Sequence, residues 1–350
     1  MSSSRRRSGL PGYIFLGLAV LVASLTVFLA FSDRSLADLS AIIDRDNEEQ
    51  DARTAEFVAT VTAEADPVPT PNPLLIPEDV GLSARAALVT HLESGDVLFE
   101  LDADEPLQPA STAKVISAIV VLENASSDEV VEIIESDVVD PVDESSMGLQ
   151  AGDRITIHDL LVGLMLPSGN DAANALARTI GSRLQEDDSL PPEERFIQEM
   201  NAVAEELGME NANLLHPAGH DRDEQAVTAR QLAVAAEALL ARPSLQPIVS
   251  MLRADVKVGG PNERVLTVYN TNELLAHDDV FGVKTGTTVE AGQCLIVARR
   301  NGGETYLAVI LGSEDRYADA QVLLNLPDLI EPELEDQDGV ELDDDDQPEP

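Results

Sequence analysis

Ser111 and Lys114 stand three residues apart in Ser111-Thr112-Ala113-Lys114, at the head of a segment, 111–124, whose apolar spacing predicts a helix. That spacing brings two helical side chains onto one face. A serine hydroxyl is a weak nucleophile near neutral pH and needs a base within hydrogen-bond reach to take its proton. Lys114 has the position for this, provided burial or a neighbouring cation lowers its pKa, and Lys284 is a candidate for that cation. Two further short patterns carry polar groups suited to the same chemistry: Ser168-Gly169-Asn170, between an apolar run at 160–166 and a further helical segment, and Lys284-Thr285-Gly286. Taken alone, Ser168 and Asn170 read equally well as caps of the helix expected at 171–184. Lysine is scarce enough to matter, since only Lys114, Lys257 and Lys284 occur among 22 basic residues. A chain of this composition shows all three patterns by coincidence in about one case in a thousand.

Ser-x-x-Lys, Ser-x-Asn and Lys-Thr-Gly, in this order, mark the penicillin-binding proteins and class A β-lactamases. Within that group the chain resembles the low-molecular-mass D-alanyl-D-alanine carboxypeptidases over about 86–326. The resemblance runs through Pro109-Ala110-Ser111-Thr112-Ala113-Lys114, Leu166-Pro167-Ser168-Gly169-Asn170-Asp171-Ala172, Asn270-Thr271-Asn272-Glu273-Leu274-Leu275 and Gly282-Val283-Lys284-Thr285-Gly286-Thr287-Thr288. It implies a mixed α/β, β-lactamase/transpeptidase-like fold, an antiparallel sheet flanked by helices with a helical lobe, and a site in the cleft between them. It also implies that Ser111 attacks the carbonyl joining the two terminal D-alanines of a peptidoglycan stem peptide, expels the last one and is freed by water. β-Lactams would acylate the same serine. By the same resemblance Ser168 relays the proton to the departing amine, and Asn170 positions Lys114 and the substrate amide. Thr287 joins Ser111 in offering a backbone N–H to the acyl oxygen. Lys284 and Thr285 suit a terminal carboxylate, and Gly286 lets the strand backbone approach the bound peptide. No cofactor and no metal is expected.

One stretch departs from the family. Where relatives carry Asn-Pro-His-Gly, this chain has His216-Pro217-Ala218-Gly219-His220-Asp221. The two histidines have the spacing of a metal pair, but Pro217 and Gly219 argue against the helix that would align them, so a loop rim shaping the substrate site is expected. Lys257 and Arg253 read as solvated surface, and His91, His158 and His277 as packing or capping residues. The single cysteine, Cys294, excludes an intramolecular disulfide and reads as a small buried strand residue. Other readings have less support. A β-lactamase is disfavoured because Gly169 stands where class A enzymes have Asp, and 185–194 shows no clear loop for a deacylating Glu. A D,D-endopeptidase shares the mechanism and is not separable by sequence. An inert wall-peptide-binding module would need neither a nucleophile nor its base.

The elements that must hold these residues follow from periodicity. Two strand-like runs, 87–92 and 97–100, flank Glu93-Ser94-Gly95-Asp96 and predict a hairpin. Helices are expected at 111–124, 158–166, 171–184, 193–207 and 228–241, the last with Thr228 as N-cap. Strands are expected at 265–269, 292–298 and 305–311. Strands at both ends of the body with helices between them imply an α/β arrangement in which the C-terminal strands complete the sheet.

Around this body, 79–328, the chain has simpler segments. Arg5, Arg6 and Arg7, in a short N-terminus at 1–7, precede an uncharged stretch, 8–32, whose apolar core could span a bilayer or serve as a signal segment. Export of the remainder to the extracytoplasmic face follows on either reading. Residues 33–78 are charged and then Pro-rich, as in a spacer, and 329–350 form an acidic tail expected to be disordered. The second β-rich domain and C-terminal amphipathic helix of many relatives are not expected after the body, so the N-terminal segment would take over anchoring to the membrane. The net charge of −43 excludes nucleic acid as an electrostatically favoured partner. With 19 of the 22 basic residues Arg, the acidic, lysine-poor composition suits concentrated salt. A melting temperature that fails to rise in molar salt would count against a halophilic origin.

Overall fold

Residues 81–184 and 189–328 are described by the computed structural model. The segments assigned to the anchor or signal, the spacer and the acidic tail lie outside the described residues, as do 185–188. In chain order, β1 (Ala86–His91) and β2 (Val97–Leu101) are followed by a 3-10 turn, Ala110–Ala113, that runs into α1 (Lys114–Asn124). Next come β3 (Val130–Glu132), β4 (Arg154–Thr156), α2 (Ile157–Met165), α3 (Asn170–Gly181), α4 (Pro192–Glu206), α5 (Ala229–Leu240) and the short α6 (Gln246–Val249). The remainder is β5 (Arg253–Val258), β6 (Arg264–Tyr269), a 3-10 turn at Glu273–Ala276, β7 (Val280–Thr288), β8 (Gly292–Asn301), β9 (Glu304–Ser313) and α7 (Arg316–Leu324).

The main sheet has the order β2-β1-β9-β8-β7, with every neighbouring pair antiparallel. The N-terminal hairpin and the C-terminal strands therefore form one sheet, as the distribution of strand signals implied. Alternation along each strand divides the apolar residues between two faces. Leu88, Ile296 and Val309 face the helical side, in one core with α1, α2 and α5, while Val89, Leu295 and Ile310 pack against Ala320, Leu323 and Leu324 of α7. Register carries this into the site: Leu88 pairs with Val309, Val309 with Ile296, and Ile296 with Lys284. Lys284 thus takes the face directed at the helices, because cross-strand partners share a face.

Local signals explain the helix starts. The Thr156 hydroxyl accepts from the Asp159 N–H, and Thr228 forms a reciprocal capping box with Gln231. The strand expected at 265–269 forms as β6, but it pairs with β5 in a ribbon outside the main sheet, as β3 pairs with β4. Neither the β3–β4 ribbon nor α7 was anticipated, and α7 has a weak apolar pattern because Asp319 sits on its buried side. That carboxylate is spent on the Ser83 N–H, the Ser83 hydroxyl and the Ser313 hydroxyl. Cys294 is fully buried in β8, and burial pushes its thiol up to about 11, as fits a packing residue.

Candidate active site

Ser111 sits on a 3-10 turn. Ala110 has φ +48°, a left-handed conformation that keeps any helix from extending back through it; residues 110–113 form a 3-10 turn, and α1 begins at Lys114. The helix expected at 111–124 is thus divided, yet Ser111 and Lys114 still meet, with Nζ 2.9 Å from the Ser111 Oγ. Lys114 is fully buried. Its Nζ also donates to Asn170 Oδ1 at 2.8 Å, Ser168 Oγ at 3.2 Å and the Ala218 carbonyl at 3.3 Å. Burial pushes its pKa down to about 7, against Asp171 and Glu144, which favour the ammonium. Of the two causes considered, burial is the larger for Lys114. Lys284, whose pKa is lowered well below the usual lysine range by burial and then by repulsion from Lys114 and Arg316, is close enough for the two lysines to disfavour each other's charge.

Ser168 and Asn170 come from the α2–α3 junction. The N-cap of α3 is Gly169, with no side-chain cap, so neither residue is spent on capping. Ser168 adopts φ +62°, which turns its hydroxyl toward Lys114. Asp171 ties the start of α3 to the preceding loop by accepting from the N–H groups of Met147, Gly148 and Leu149 and from the Ser146 hydroxyl. That loop supplies Glu144, whose carboxylate accepts from Asn170 Nδ2 at 2.8 Å.

The opposite wall is β7. A Cβ on Gly286 would lie 2.8 Å from the Ser111 N and 2.9 Å from the Ala110 Cβ, so only glycine allows strand and nucleophile turn to be this close. Lys284 is 1% exposed, and its Nζ donates to the Thr285 carbonyl at 3.0 Å. The Thr285 hydroxyl bonds that of Thr271 at 2.6 Å. Arg316, half-buried at the start of α7, donates to the Gly286 carbonyl at 2.7 Å, the Cys294 carbonyl at 2.9 Å and the Thr287 hydroxyl. Sequence reasoning missed Arg316, Glu144 and the Ala218 carbonyl. None has a spacing signal, because each reaches the site from a separate loop or helix end.

His216 and His220 do form a loop, and it packs on the nucleophile turn. A Cβ on Gly219, at φ +79°, would lie 1.8 Å from the Ala110 carbonyl oxygen. The two imidazoles stack with centroids 4.2 Å apart and planes 13° from parallel. Among the described residues, the ligand atoms close enough together to share a metal are those of His91, Glu93 and Glu304, far from this loop in sequence. His158 and His277 are exposed, as are Arg253 and Lys257.

A buried lysine shared by two serines and an asparagine, facing a strand with Lys-Thr-Gly, is the arrangement that the family resemblance implied. The model for D-alanyl-D-alanine carboxypeptidases of peptidase family S11 matches residues 75–315. The chain belongs to this family. It is 28% identical over 244 residues to D-alanyl-D-alanine carboxypeptidase DacF of Bacillus subtilis, covering 68% of this chain and 60% of DacF. The match to DacF thus falls short of that relative's whole length. Identity to the D-alanyl-D-alanine carboxypeptidase of Streptomyces sp. strain K15 is 33% over 243 residues, covering 66% of this chain and 82% of the relative. The crystal structure of the Streptomyces K15 DD-transpeptidase superposes with a TM-score of 0.66 at 31% identity, covering 71% of this chain and 98% of that one. The mixed α/β fold with an antiparallel sheet is therefore the fold of these DD-peptidases, whose members carry both carboxypeptidase and transpeptidase names.

Proposed function

We propose that this S11-family protein is a serine-type D-alanyl-D-alanine carboxypeptidase that trims peptidoglycan stem peptides. The observation that carries the reading is Lys114, fully buried, with a pKa near 7 and its Nζ 2.9 Å from the Ser111 hydroxyl. In its neutral form the Lys114 lone pair faces that hydroxyl, while its two N–H groups serve Asn170 and Ser168. Lys114 takes the Ser111 proton as Oγ attacks the penultimate D-Ala carbonyl. The backbone N–H groups of Ser111 and Thr287 receive the oxyanion. The proton passes from Lys114 through the Ser168 hydroxyl to the departing D-Ala nitrogen, the C–N bond breaks, and the acyl group stays on Ser111. Water then releases it, giving its proton back through Lys114. Lys284, Thr285 and Arg316 hold the terminal carboxylate, a site that suits a free C-terminus better than an amide.

Catalysis would take place on the extracytoplasmic face. Residues 8–32 would anchor or export the chain, and 33–78 would set the reach of the 79–328 domain. Among the described residues no helix is long and apolar enough to cross a membrane.

Fluorescent penicillin and diacetyl-Lys-D-Ala-D-Ala test the assignment together. Covalent labelling of the wild type, its loss in Ser111→Ala, and release of free D-alanine are expected. Equal labelling of the variant would sink the mechanism. Labelling without D-alanine release, but with cleavage or formation of cross-links, would move the protein to endopeptidase or transpeptidase. Rapid β-lactam turnover would make it a β-lactamase.

A further inference from the structure

Beside Lys114 lies a triangle of polar groups that the reaction sketched above does not use. Asn170 Nδ2 is 2.8 Å from Glu144 Oε2 and 2.8 Å from His220 Nε2, and His220 Nε2 is itself 3.3 Å from the same Glu144 oxygen. A carboxylate accepts only, so the Nδ2 end of the amide must face Glu144, which leaves Oδ1 for Lys114. The two N–H bonds of Nδ2 are then used once each, on Glu144 and on His220. His220 Nε2 must be an acceptor, with its proton on Nδ1. The ring is held by its stack on His216, which is 7% exposed and whose Nδ1 accepts from the Ala218 N–H at 3.1 Å.

We propose that His220 is a positioning residue for acylation: its neutral Nε2 holds the Asn170 amide with Oδ1 on Lys114, and protonation releases that hold. The inference rests on Lys114 being the base of Ser111. Once protonated, Nε2 becomes a donor. Its N–H then opposes the Asn170 N–H across 2.8 Å and finds its acceptor in Glu144 instead. The same carboxylate is thereby drawn from the amide, and Asn170 loses both partners that oriented it. The charged and titratable groups facing His220 are Glu144 and Asp221, which favour the imidazolium, Lys114 and Arg222, which oppose it, and the stacked His216. Burial is the largest influence and keeps His220 neutral to lower pH than a free histidine, while His216 is pushed down to about 3 and stays neutral throughout. An acid limit separate from the titration of Lys114 follows.

The full-length protein can be titrated by NMR while the Asn170 side-chain NH2 signals are followed, with acylation by fluorescent penicillin measured over about pH 4 to 9. The comparison is with His220→Gln, whose side-chain oxygen can accept the Asn170 N–H but cannot titrate. Two inflections are expected in the wild-type Asn170 signals, from Lys114 and His220, and one in the variant. On the acid side the wild-type acylation rate should fall towards about a hundredfold per pH unit, and the variant about tenfold. A single Asn170 inflection in both proteins, or superimposable acid limbs, overturns the proposal. If penicillin labels neither protein, the assignment of function fails, and the NMR titration still decides the role of His220.

Discussion

The two walls of the cleft carry a buried lysine each and handle it in opposite ways. On the helical wall Lys114 is surrounded by acceptors, Ser111, Ser168, Asn170 and the Ala218 carbonyl, with Asp171 and Glu144 near enough to favour its charge. On the strand wall Lys284 bonds one carbonyl, Arg316 bonds carbonyls and hydroxyls, and no carboxylate pairs with either among the described residues. The first environment keeps a lysine poised near neutrality, able to gain and lose a proton. The second leaves Lys284 and Arg316 without a carboxylate in ion-pair contact among the described residues, a place the proposed substrate carboxylate would take. On the proposed mechanism, identical side chains become a base and an anion receptor through their neighbours alone.

Substitution of the two lysines should separate the walls. Lys114→Met is expected to lower the acylation rate by about 10³- to 10⁴-fold for penicillin and peptide alike, since general-base assistance disappears. Retention of rapid labelling would place the base elsewhere. Gly286→Ala would press its methyl on the nucleophile turn, and a displacement of this kind costs about 10²-fold in acylation, again for every acyl donor. A crystal structure of that variant should show β7 moved from Ser111. Lys284→Met should cost about 10- to 100-fold in kcat/KM for a peptide with a free C-terminus, the loss of one charge-assisted hydrogen bond, and much less for its C-terminal amide. Equal losses on both peptides would erase the division of labour.

The smallest effect tests the electrostatics of the helical wall. Because the ammonium cannot accept a proton, acylation should rise with pH through about 7 as Lys114 loses its charge. Glu144 favours the ammonium, so Glu144→Gln should move that rise to lower pH and make acylation below neutrality a few times faster relative to the plateau. A pH-rate profile of the variant shifted upward would reverse the sign of this coupling.

The pattern residues of the site were legible because their spacing is short. Ser111 and Lys114 meet through one turn whether it is α or 3-10, and Lys284, Thr285 and Gly286 are consecutive. Arg316 was illegible, being 30 residues beyond Gly286 in the chain and reaching its carbonyl only because α7 follows β9 back across the sheet. Glu144 was hidden in an acidic chain where one more carboxylate carries no signal. The histidine spacing suggested a helical metal pair against which Pro217 and Gly219 argued. The loop instead stacks the rings beside Asn170, a contact no linear spacing encodes.

By itself the sequence determined which groups are available: a serine with a lysine one turn away, a second hydroxyl with an amide, and a cationic strand, in a chain that otherwise avoids lysine. It also determined where α1–α5 and the strands β1, β2, β6, β8 and β9 form, since alternation and capping act over a few residues. Tertiary structure alone decided what those groups are. Desolvation in the packed interior is what chiefly brings Lys114 to about 7, and the close contact of Gly286 and Gly219 with the Ser111 turn brings three distant segments to one serine. Burial and approach depend on the whole packed interior, which residues of a local motif cannot specify.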